Sequence, residues 1–146
     1  MKKISLLIVL GCLFVSAGVK AQTSVSWKQL GKLTWNNYYD EALGFDVSQP
    51  VFSDDLKKFE GKEVKLSGYI IPVDVDGEYM VLSAFPFSNC FFCGNAGPET
   101  VMEVDIKPDR DLLNKKVEIK GLLELNDDNF YQLIFRLNKA QVLSVD

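Results

Sequence analysis

Glu63-Val64-Lys65-Leu66-Ser67-Gly68-Tyr69-Ile70-Ile71-Pro72-Val73 is the stretch whose reading decides the fold. Val64, Leu66 and Gly68 alternate with Lys65, Ser67 and Tyr69, the period of two expected of a strand with one buried face, and Pro72 ends the run. The same alternation returns further on. Gly61-Lys62-Glu63-Val64-Lys65-Leu66-Ser67-Gly68 is echoed by Asn114-Lys115-Lys116-Val117-Glu118-Ile119-Lys120-Gly121. In each copy a turn feeds a strand that reaches a glycine, where a curved sheet can bend sharply.

Working outward, Asp76-Gly77 is a tight-turn dipeptide and Tyr79-Met80-Val81-Leu82 the return strand of a hairpin. Residues 100–107 read as a third strand stopped by Pro108, 109–114 as one or two helical turns, and 116–125 as a fourth strand. Asn126-Asp127-Asp128-Asn129 is a turn, 130–137 a fifth strand and 140–145 a short extended tail. The expectation is a mainly β fold: a five-stranded OB-like barrel with a small helix between strands 3 and 4. An open antiparallel sandwich is the other structure these strands could build. Ahead of them, Trp27, Leu30 and Leu33 have helical spacing until Asn36-Asn37 interrupts, giving a short N-terminal helical segment. Ser53 before Asp54-Asp55 reads as the N-cap of a short helix that Gly61 ends.

The first residues belong to export. Lys2-Lys3 precede an apolar run from Ile4 to about Gly18, and Val19-Lys20-Ala21 places small residues as a secretory cleavage site requires. The run is too short to span a bilayer comfortably. Val9-Leu10-Gly11-Cys12 offers a rival, a lipoprotein box anchored at Cys12, although apolar residues continue past it. The chain is thus divided into a signal peptide (1–21), an N-terminal extension packed on the barrel (22–60) and the barrel domain (61–146), in a periplasmic or secreted protein without a transmembrane segment in its mature form. Cleavage removes Lys2, Lys3 and Lys20 and leaves 13 basic against 20 acidic residues, a net charge of −7. Scattered basic residues in an acidic chain exclude nucleic acid as a partner. The 146 residues contain no histidine, which removes the usual general base and the commonest zinc ligand, and no pair of carboxylates is placed as an acid and base couple. No catalytic residue is therefore assigned, and an enzyme is the less favoured reading. Asp74-Val75-Asp76-Gly77-Glu78 lacks the full calcium-loop pattern and reads as a hairpin turn.

The long stretch 83–99 carries the chemistry. It holds both cysteines of the mature chain, Cys90 and Cys93, with Phe85, Phe87, Phe91 and Phe92 around them and Gly94 behind. Long irregular loops in compact domains are usually functional. Three chemistries stay open for the pair. A disulfide suits an exported compartment, although closing so small a loop is worth only about 2 kcal/mol. A thioredoxin-like redox pair would need a helix N-terminus in a βαβ unit, which this all-β region does not offer. Cys-Phe-Phe-Cys-Gly also has the form of a zinc knuckle, half of a soft-metal site for Zn(II) or Cu(I). Its remaining ligands would have to be Glu99, Glu103, solvent, a partner or a second copy of the chain, which would make the loop an oligomer contact. Phe85, Phe87, Phe91 and Phe92 either cap the open end of the barrel or form a docking surface.

Gly68-Tyr69-Ile70-Ile71-Pro72-Val73, the run Leu82-Ser83-Ala84-Phe85-Pro86-Phe87 leading into the cysteine loop, and Trp27 with Leu30 together resemble the bacterial DUF3299 family of small exported proteins of unknown function. The resemblance covers nearly all of the mature chain. It departs at the loop, where the family's commoner form reads Cys-Ile-His followed by prolines, so Cys90 alone carries over directly. The resemblance implies export, an OB-like barrel and an accessory role beside an envelope protein or transporter component, in transport or metal handling, without implying a reaction. The leading expectation is a non-enzymatic binding protein with a thiol or soft-metal site at Cys90 and Cys93. The alternatives are a thiol-disulfide oxidoreductase and a protein-docking module with a plain disulfide.

Overall fold

The computed structural model describes residues 23–73 and 79–146. The expected signal peptide with Cys12 and the Asp76-Gly77 turn lie outside the described residues. The fold is mainly β. In chain order come β1 (Thr23–Ser24), α1 (Trp27–Leu30), β2 (Leu33–Asp40), β3 (Phe45–Phe52), α2 (Asp54–Lys57), β4 (Glu63–Ile71), β5 (Met80–Ser83), β6 (Val101–Val104), β7 (Lys116–Leu125) and β8 (Phe135–Val145). Short 3-10 turns lie between β5 and β6, and another, Arg110–Leu112, takes the place expected for a small helix. Among the described residues no helix is long and apolar enough to cross a membrane.

β4 pairs antiparallel with β5, β5 with β6, and β7 with β8, while β6 and β8 run parallel. β7 also pairs with β4, so each of these five strands has a hydrogen-bonded neighbour on both sides. The alternation in the two echoed segments decides what lies inside: Val64, Leu66 and Ile70 of β4 meet Val117, Ile119 and Leu123 of β7, with Leu82, Met102, Phe135 and Leu137. Leu30, Phe52 and Leu56 of the N-terminal extension enter the same core, and the Phe52 and Phe135 rings stand 5.9 Å apart. The Ser53 hydroxyl accepts from the Leu56 amide at 3.3 Å, the cap expected from Ser53-Asp54-Asp55.

Two expectations need correction. Helical spacing at Trp27, Leu30 and Leu33 extends no further than Leu30, because Gly31 ends the turn and Leu33–Asp40 pairs with Phe45–Phe52 as a hairpin. Thr34, Trp35, Tyr38 and Tyr39 prefer extended backbone, and that preference prevails over the Asn36-Asn37 interruption. Pro50 is tolerated in β3 because the two-stranded ribbon leaves β3 an unpaired edge. The fifth strand begins at Phe135 and runs on through the expected tail, whereas 130–134 stay irregular. Asn126 explains this. Its side-chain amide is largely buried and donates to the carbonyls of Asn129 (2.8 Å) and Leu133 (3.2 Å), while its oxygen accepts from the Asn129 amide (2.9 Å), which ties 126–133 into a closed turn.

The two glycines of the echoed segments are sites of close approach. A Cβ on Gly68 would lie 2.6 Å from the Ser83 carbonyl oxygen, and one on Gly121 2.8 Å from that of Asn138, opposite a register shift in β8. Because the obstacle is backbone, Gly68→Ala is expected to lower the unfolding free energy by about 1–3 kcal/mol in urea titrations. An unchanged midpoint would show that the strands can separate there without penalty.

A candidate thiol site beside a polar groove

β5 and β6 are buried on both faces. Met80, Leu82, Met102 and Val104 point into the main core, while Val81 and Val101 point the other way and join Ile71 and Cys90 in a second apolar cluster. The loop between them folds back over that outer face. Its base is closed by the Ala84 amide donating to the Thr100 carbonyl at 2.9 Å. Its tip is built from two 3-10 turns, Phe87–Asn89 and Phe91–Cys93, which share Cys90 between them. Gly94 adopts φ 76°, the left-handed conformation that lets the chain reverse behind Cys93, and the Asn95 side chain donates to the Ser88 carbonyl at 3.1 Å.

The two sulfurs stand 4.0 Å apart. Cys90 is fully buried, whereas Cys93 is exposed and its thiol donates to the Phe87 carbonyl at 3.0 Å. Partial desolvation in the loop, and then the hydrogen-bonded contact with Cys90 and its charge, push the Cys93 thiol above its ordinary pKa. A disulfide-exchange enzyme needs the reverse, an exposed thiol activated by a lowered pKa at a helix N-terminus or beside a cation. Cys93 instead closes a single 3-10 turn.

Phe91 packs half-buried on the second cluster, and Phe92 meets its edge with ring centroids 5.2 Å apart. Phe85, Phe87 and Phe92 are exposed, so three of the four phenylalanines face solvent and do not cap the fold. Glu99 folds back over Gly97, filling the space a side chain there would take, with its Cγ beside Gly31. Glu103, on β6, accepts from the Leu133 amide at 2.8 Å and lies 2.9 Å from Arg136 Nε. Among the described residues no three Cys, Asp or Glu side chains converge as a metal-binding group. The donor set at the loop is therefore half a tetrahedral shell, two sulfurs at nearly the spacing of thiolates on one ion, and fits a metal only with outside ligands.

Glu103 matters in a different way. It sits in the otherwise apolar run Val101-Met102-Glu103-Val104, almost wholly buried, and that lone charge in a buried strand was the available sign of a polar site on this face. Arg136 Nε, also buried, has no well-aligned acceptor despite the short ion-pair distance, and Arg136 Nη1 lies 3.8 Å from Glu124 Oε1. Around this pair opens a groove with Tyr79, Asp105, Tyr131 and Gln132 along it. Comparison with protein-family models, with curated proteins and with solved structures finds no match for this chain. The resemblance to the DUF3299 family rests on the residues quoted for it alone.

In the reduced, folded protein, iodoacetamide is expected to label Cys93 alone, more slowly at pH 8 than a thiol in an unstructured peptide, and to reach Cys90 only after denaturation. Peptide mass mapping over a labelling time course checks this. Cys90→Ser should cost about 1–3 kcal/mol by burying a hydroxyl among aliphatic side chains, whereas Cys93→Ser should stay within about 0.5 kcal/mol.

Proposed function

We propose that this chain is an exported, non-enzymatic binding module built on a closed five-stranded barrel of the OB type, in which Cys90 and Cys93 form a clasp closed by oxidation. The barrel reading is supported by the circuit of pairings from β4 through β5, β6, β8 and β7 back to β4, with the third and fifth strands of that set parallel. Export is supported by Lys2-Lys3, the apolar run and the small-residue site before Gln22. It would deliver the pair to an oxidising compartment.

The observation that carries the clasp is the complete burial of Cys90 among Ile71, Val81 and Val101, with the Cys93 sulfur 4.0 Å away on the solvent side. Cys90 is shut away from solvent, so the exposed Cys93 is the thiol that meets the oxidant and Cys90 closes the bond from within. A short rotation of Cys93 brings the sulfurs together. Oxidation of the two thiols by a periplasmic or chemical disulfide yields the intramolecular disulfide and the reduced dithiol of the oxidant, and it fixes the turn that presents Phe92. A soft-metal site is the second reading, favoured by the sulfur spacing and by Gly94 behind the second cysteine, with ligands completed by another copy of the chain.

Intact-mass measurement on protein taken from the extracytoplasmic space under an alkylating quench separates the two. A clasp gives no alkylated cysteine and a mass lower by two hydrogens than the reduced protein. Two alkylated thiols in a metal-free sample overturn it, and native mass spectra retaining Zn or Cu with both thiols protected replace it with the metal reading.

A further inference from the structure

Two clefts on the outer face of β5 and β6 share Tyr79, Glu103, Tyr131 and Gln132 and so form one continuous groove. The larger, of about 410 Å³, is polar, with Asp105, Arg136 and Asn138 along it. The smaller, of about 230 Å³, is aromatic at its far end, where Phe92 and Phe130 stand. The larger volume alone falls in the range of small-molecule sites, about 300–1,000 Å³.

We propose that this groove binds a neutral oligosaccharide. Its charges exclude the obvious competitors. Glu103 and Arg136 offset one another, Asp105 remains, and Glu124 stands beside Arg136, so the lining repels phosphates and carboxylates. A cation would meet the Arg136 guanidinium, and an acyl chain would strip water from the charged half. What the polar half offers is a set of short donors and acceptors close together: the Gln132 side-chain amide and the Asp105 carboxylate, of which one oxygen accepts from the Lys139 amide and the other is left for a ligand. Neighbouring hydroxyls of a sugar ring pair with groups of this kind as donor and acceptor at once. The aromatic half supplies flat apolar faces for the C–H side of a pyranose. Tyr131 is 97% exposed at the junction of the two halves, contributes little to the packing of the fold, and stands where a ring in the groove would pass. This inference goes beyond the clasp and stands whether the thiols are reduced or joined.

Calorimetric titration of the full mature chain, reduced and oxidised, with neutral tetrasaccharides of β-linked glucose, β-linked N-acetylglucosamine and α-linked glucose tests it, with a thymidine oligonucleotide as the anionic comparison. Saturable binding of at least one sugar, insensitive to salt, is expected. Tyr131→Ala and Gln132→Ala should each weaken it about tenfold or more with an unchanged melting temperature, while Tyr39→Ala, an exposed aromatic outside the groove lining, leaves it unaltered. No binding of any of the three sugars, binding indifferent to both groove substitutions, or preferential binding of the oligonucleotide overturns the proposal.

Discussion

Seven residue pairs, from Glu63↔Leu122 to Tyr69↔Lys116, join β4 to β7 across a large separation in the chain. Without them β4 through β8 would be a strip with two open edges. With them, the apolar sides of both strands face inward together, and Val64, Leu66, Val117 and Ile119 can share one core. The outward sides carry opposite charges, with Lys65 3.0 Å from Glu118 and Lys120 3.8 Å from Glu63. These partly exposed pairs are worth at most about 1 kcal/mol each and act chiefly to hold the register. On their other sides β4 and β7 press closely on β5 and β8, at two residues that have no side chain. Gly68 and Gly121 let neighbouring backbone and leucine side chains come closer than any Cβ permits.

The two strands, though not their pairing, were legible because each has one wet face, and a period of two is the direct trace of one wet and one dry side. β5 and β6 carry no such trace. Buried on both sides, they read only as short apolar runs, so their outer cluster with Cys90 could not be foreseen, nor could the way the cysteine loop lies back across it. The N-terminal hairpin was missed for the opposite reason. β2 is exposed along nearly its whole length, which leaves no alternation to find, and Leu33, its first residue, completed a helical spacing with Trp27 and Leu30 that pointed to the wrong element. The start of β8 was hidden behind a turn organised by one amide, Asn126, through contacts that composition does not record.

The residues expected to act together at the cysteine loop separate once placed. Cys90 and Cys93 come together, and Gly94 supplies the reversal behind them. Glu103 is engaged with Arg136, and Glu99 fills the space over Gly97, so the two carboxylates lie at the groove and at the loop base. The loop and the groove are adjoining features of one face, since Phe92, between the two cysteines in sequence, also walls the groove.

The parallel contact of β6 with β8 and the return of β4 to β7 also govern how the chain reaches this state. Neither can form until the C-terminal third of the polypeptide has arrived. Until then the β4 and β5 hairpin waits with unsatisfied strand edges and aliphatic side chains open to water. Such non-local closure is slow, and exposed edges invite association with other chains. The acidic surplus of the chain, 20 Asp and Glu against 16 Lys and Arg, opposes that association through self-repulsion before folding is complete.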